Sequence, residues 1–200
     1  FGIKDIDKAK RGSQPQYESK RNGYYWNDHI RTSQAAIDHF EFDDKKAKQM
    51  RKMGFGAVNT HIADGLIRGT GILVGLQSDE HQLPKVIADE TAQYWSFNRS
   101  KQTRQSYPNS IMGKMALMRQ VFEDADWYQR TQLEEKDMSL EAFEKQKNLP
   151  QLFHAGDYLN ALRADKIADE FDQDFVLFAD NDTYKRIDEI KATNAQFILP

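Results

Sequence analysis

Three short groups in this sequence carry side chains suited to hydrolytic chemistry: His61-Ile62-Ala63-Asp64, His154-Ala155-Gly156-Asp157 and Asp180-Asn181-Asp182. Neutral imidazoles beside carboxylates suit a divalent ion such as zinc, which lowers the pKa of a bound water to about 7 and supplies hydroxide. On this reading His154 and His61 are candidate metal ligands, and Asp157, Asp180 and Asp182 are candidate substrate-binding groups. Each has a plainer reading. Asp157 and Asp182 stand where helices should start, and capping alone explains them. His154 reads equally as a ligand or as an ordinary loop histidine. His29, His39 and His81 fall on predicted helix or loop surfaces and are expected to be solvated. The dense spacings His-x-His and His-Glu-x-x-His do not occur.

Other candidate motifs fail on context. Gly65-Leu66-Ile67-Arg68-Gly69-Thr70-Gly71 lacks the Gly-Lys-Ser/Thr ending of a phosphate loop, and Val74 stands where a dinucleotide motif needs its third glycine. It reads as a turn between strands, with Arg68 placed to face an anionic substrate group. The basic stretch Arg99–Arg104 has no interleaved aromatics and reads as a solvated loop. No Gly-x-Ser-x-Gly elbow is present, so a serine hydrolase has no support.

The elements that must position these groups are clearest after residue 149. Gln151–His154, Asp174–Phe178 and Gln196–Leu199 read as strands, separated by helices that start near Asp157 and Asp182. Leu159, Leu162, Ile167 and Phe171 are predicted to face inward from the first helix, and Tyr184, Ile187 and Ile190 from the second. Strand–helix–strand units of this length, joined by short loops, mean parallel strands with right-handed crossovers. Ligands of such sheets sit at the C-terminal ends of the strands, which is where the three groups fall.

Upstream, the spacing predicts short helices over 27–40 and 43–53 and a buried strand over 55–60. A hairpin-like excursion is predicted over 61–107, with strands at 71–76 and 85–89. The longest helix should run from Ser110 to Arg130, with Ile111, Met115, Met118, Phe122 and Ala125 as its core stripe, and another over 139–148 with Ser139 as its cap. Residues 1–26 read as an extended arm anchored by Tyr24, Tyr25 and Trp26, and 27–200 as one domain.

Composition limits the function classes. At 200 residues, with 39% hydrophobic and 30% charged residues, the chain is long enough to bury a core and too apolar and aromatic to be disordered. A net charge of −3 gives no electrostatic case for nucleic acid or an anionic membrane. Without cysteine there is no disulfide, thiolate metal site or cysteine nucleophile. The longest apolar run, Ile72–Leu76, is far short of a bilayer span. The start at Phe1 and the abrupt final strand lead to the expectation that this is a piece of a longer polypeptide.

Met53-Gly54-Phe55-Gly56-Ala57-Val58 resembles the helix-to-strand step of the amidohydrolase superfamily, in particular its imidazolonepropionase-like branch. Leu149–Ala155 and Leu162–Phe171 resemble that branch's strand ending in His-Ala and the helix that follows. Asp182–Ile187 and Phe197–Pro200 resemble its next helix and strand. The resemblance covers 149–200, and 50–76 more loosely. It implies part of a (β/α)8 TIM-like barrel within the α/β class. It also implies one or two divalent metals, with His154 falling on the family's ligating histidine. The implied activity is metal-dependent hydrolysis of non-peptide or cyclic amide C–N bonds in a small-molecule substrate. The family's first-strand His-x-His is absent, Ala179-Asp180 stands where many members have histidine, and the late aspartate base would lie beyond Pro200. This chain alone is therefore expected to be inactive, with the rest of its polypeptide or another chain completing the barrel. A non-catalytic half-barrel scaffold is the alternative. Exported members of the branch favour a periplasmic over a cytoplasmic location.

Overall fold

The computed structural model describes residues 1–10, 21–78, 85–131, 135–180 and 182–199. The prediction for His81 lies outside them. Two sheets organise the chain. A five-stranded sheet has the order β2 (Ile67–Thr70), β5 (Gln93–Ser96), β6 (Gln151–His154), β7 (Phe175–Phe178) and β8 (Gln196–Ile198). Strands β5 to β8 are parallel, and β2 runs antiparallel to β5. A smaller antiparallel sheet joins β1 (Ala57–Thr60), β3 (Ile72–Gly75) and β4 (Val86–Ala88). The chain is thus α/β with a parallel-strand sheet.

One face of the larger sheet is covered by helices α2 (Ile111–Arg130), α3 (Met138–Gln146) and α4 (Tyr158–Glu170). Trp95, Phe153, Phe175 and Leu177 point into this layer and are almost fully buried among Leu117, Met118, Val121, Phe122, Phe143 and Ile167. The buried indole N–H of Trp95 donates to Gln151 Oε1 at 2.7 Å, so its one polar atom is satisfied. Alternation along a strand sends the other residues to the opposite face. There Leu152, His154, Val176 and Phe178 are only half-buried, and Ile198 on the edge strand is 39% exposed.

The helix starts follow capping chemistry. Asp43, Ser110 and Asp157 cap α1 (Asp44–Lys52), α2 and α4, each accepting a backbone N–H from the first turn. Gly54 ends α1 region at φ +97, which a residue with a side chain adopts poorly. For α3 the cap is Asp137, which accepts from Ser139 N and Leu140 N. Ser139 lies inside the helix, buried, with its hydroxyl accepting from Tyr25 N.

Several expectations are corrected. Residues 27–40 form no α-helix; only Ala36–His39 make a 3-10 turn. Ile30 and Ala35 instead bridge Ile67 and Thr70 of β2, and the Asn27 side chain bonds the backbone at His29 and Tyr107. Polar side chains that bind nearby backbone compete with helix formation. Strand β1 is mostly exposed rather than buried, because it is an edge of the smaller sheet. The glycine-rich run is largely β2, buried throughout, where Gly69 lets the Gln34 carbonyl approach. The 61–107 excursion does hold the β3–β4 pair, but it also supplies β2 and β5 to the larger sheet. Leu159, Tyr184 and Ile187 are exposed, whereas Ile167 and Ile190 are buried as expected. A short α5 (Ile187–Ala192) follows a 3-10 turn over Thr183–Arg186.

Candidate functional site

Two of the three predicted groups meet. His154 is the last residue of β6, opposite Ser96 at the end of β5. His61, just past β1, lies over the larger sheet with its ring on Tyr94 (3.7 Å between centroids, 4° between planes). The two imidazoles are 5.4 Å apart, and His154 stacks on Phe178 at 3.8 Å. His61 therefore reaches the C-terminal end of the parallel strands from the loop between β1 and β2, and not from a parallel strand of its own.

Arg68 completes the cluster. It comes from β2 and is 4% exposed. Its Nη1 donates to His61 Nε2 at 3.0 Å, its Nη2 to Ser96 Oγ at 2.9 Å and its Nε to the Gly65 carbonyl at 3.3 Å. Because a guanidinium only donates, His61 Nε2 must accept, and the proton of the neutral ring sits on Nδ1. Burial, then the nearby Arg68 charge and His154, push His61 down to about 3. Burial and Arg68 likewise push His154 down to about 4, and burial pulls Arg68 down to about 10. Both imidazoles are neutral at pH 7. His154 Nε2 is buried with no hydrogen-bond partner among the described residues.

The aspartates are placed differently. Asp64 is buried, accepting from Ser100 Oγ (2.5 Å), Lys101 N (2.7 Å) and Gln102 Nε2 (3.1 Å). Asp157 is used by Asn160, whose backbone N–H and side-chain amide it accepts at 2.8 and 2.6 Å. Asp180 is exposed, and its backbone N–H donates to Thr183 Oγ1. Asp182 makes no side-chain cap, and its Oδ1 is buried without a partner among the described residues. Among those residues no three His, Asp or Glu side chains form a group able to hold a metal ion. The donor set on these residues does not by itself fit a divalent ion, since a guanidinium already occupies the ring nitrogen that His61 would offer.

A cleft of about 590 Å³ adjoins His61 and Asp64, walled by residues 3–8 and Lys101. The loop behind it is fixed by His29, expected to be solvated but in fact 1% exposed. His29 Nε2 lies 2.9 Å from the Gln105 carbonyl, and Nδ1 accepts from Ser100 N at 3.0 Å. The basic stretch is consequently only partly solvated, with Ser100 buried. Reading the sequence missed Tyr94 and Ser96, although they alternate with the core residues Gln93 and Trp95, because that strand lay inside a presumed excursion.

The architecture is an α/β fold with the candidate site at the ends of its parallel strands. The chain is similar to the crystal structure of an amidohydrolase from Thermotoga maritima MSB8, with a TM-score of 0.66 and 18% identity over 94% of this chain. The match takes in 55% of that protein, so this chain spans about half its length. No family model matches the chain, and no curated protein does. No helix among the described residues is long and apolar enough to cross a membrane.

Proposed function

We propose that this chain is part of a hydrolase acting on amide C–N bonds of small molecules, non-peptide or cyclic, and that it forms roughly half of a (β/α)8 barrel. The observation that carries the reading is His154: a neutral imidazole at the end of a parallel strand, with a buried and unpartnered Nε2, 5.4 Å from a second imidazole. Neutral imidazoles in such a mouth accept a proton from an attacking water or hydrogen-bond the substrate. The amidohydrolase-like fold supports the choice of reaction, and the resemblance of 149–200 supports the branch.

The half-buried face bearing Leu152, Val176 and Phe178 supports the barrel reading, since a parallel sheet normally has both faces covered. Further strands, from the same polypeptide or another chain, would pair with the edge of β8 and fill that face. A divalent ion in the completed protein, zinc on the resemblance, would draw on this chain through His154, with its remaining donors from those segments. A periplasmic location rests on the resemblance alone.

The second reading, a non-catalytic half-barrel scaffold, is favoured by one specific observation: the Arg68 guanidinium on His61 Nε2. A panel of linear and cyclic amides offered to the native-length polypeptide separates the two. Release of ammonia or of the ring-opened acid supports the hydrolase. Stable assembly with a partner and no turnover on any member of the panel supports the scaffold.

A further inference from the structure

We propose that Arg68 is the resident cation of the His61–His154 pair, and that it withdraws His61 from metal coordination so that the two histidines do not together hold a divalent ion. The inference goes beyond the amide-hydrolase reading and holds whether or not the completed protein is an enzyme.

The geometry is the argument. A metal ligand must present a bare ring nitrogen with room for the ion. His61 has its bare nitrogen at Nε2, and Arg68 Nη1 stands 3.0 Å from it. The guanidinium is not a mobile surface group that an ion could displace. It is 4% exposed and held at its other two nitrogens by Gly65 O and Ser96 Oγ. Gly65 is itself constrained: it has φ +99, and a Cβ there would lie 2.9 Å from both Arg31 Cγ and the His29 carbonyl.

The charge argument runs the same way. Among the described residues no carboxylate bonds Arg68, and the oxygens of Asp64 are taken by Ser100, Lys101 and Gln102. A divalent cation entering beside the guanidinium would meet a like charge at close range in a partly dry site, which is strongly unfavourable. His154 Nε2 is left as the imidazole nitrogen available to a ligand in this cluster, and one imidazole does not make a metal site.

Cobalt(II) titration of this chain, followed by its d–d absorption, tests the proposal with Arg68→Met and the double variant Arg68→Met/His61→Ala. The wild-type chain is expected to show no saturable binding that depends on His61 or His154. Arg68→Met should gain affinity by at least roughly tenfold, and the gain should vanish in the double variant. Wild-type binding lost on His61→Ala would overturn the proposal, as would an Arg68→Met chain that folds yet gains nothing. Should Arg68→Met fail to fold, imidazole nitrogen NMR of the wild-type chain at pH 7 decides. His61 protonated at Nδ1 with Nε2 bare is the expected state, and a proton on Nε2 overturns the proposal.

Discussion

Acidification should destabilise this chain through His29, and the size of the effect follows from where that ring sits. Burial depresses its pKa from 6.5 to about 4; the Gln105 carbonyl pulls the other way, Arg99 and Arg31 add to the depression, and Asp28 opposes it. Protonation would place a hydrogen on Nδ1, which now accepts the Ser100 N–H. Between pH 6.5 and pH 4 the unfolded chain therefore binds more protons than the folded one, and stability falls as pH falls. With 1% of the residue exposed, solvent screening is slight. At pH 5 the loss is about 2 kcal/mol relative to pH 7.5, growing toward about 3 kcal/mol below pH 4. His61 and His154 contribute in the same direction, so the test must isolate His29. Urea unfolding at pH 7.5 and pH 5 is measured for the wild-type chain and for His29→Asn. The variant is less stable at both, but its difference between the two pH values should be smaller by about 2 kcal/mol. An unchanged difference would refute the reasoning.

Two other substitutions probe what holds the site in place. Gly69→Ala should prevent stable folding or cost more than about 3 kcal/mol, because a Cβ there would overlap the Gln34 carbonyl; circular dichroism on thermal melting reads this out. Asp157→Ala should cost about 1 kcal/mol by loss of the α4 cap, measured by denaturant titration. If Asp157 also binds substrate, turnover by the native-length polypeptide would fall by more than that change in stability explains.

How far the sequence could be read varied along the chain for physical reasons. From Leu149 onward the apolar strands and amphipathic helices alternate at lengths that permit only parallel pairing, so β6, α4, β7 and β8 were legible and His154 could be put at a strand end. Strands β2 and β5 were not. Ile-Arg-Gly-Thr and Gln-Tyr-Trp-Ser look like surface segments, yet both are buried throughout, with Arg68, Gln93 Nε2, Trp95 and Ser96 bonded to side chains distant in sequence. Arg68 shows the same limit: a guanidinium in a glycine-rich stretch suggests a solvent-facing anion binder, and nothing local signals that His61 and Ser96 will receive it. His29 was misplaced because the groups that bury it, Ser100 and Gln105, lie 71 and 76 residues away in sequence. A helix is expected over 27–40, but Ile30 and Ala35 make strand-like bridges to β2 that no local pattern encodes.

The central claim is that the mouth bearing His154 performs the chemistry. The most direct test is kcat/KM of the native-length polypeptide on its best amide substrate, wild type against His154→Gln. The account expects a loss of roughly a hundredfold or more, with the melting temperature little changed. Equal kcat/KM in the two proteins would contradict it.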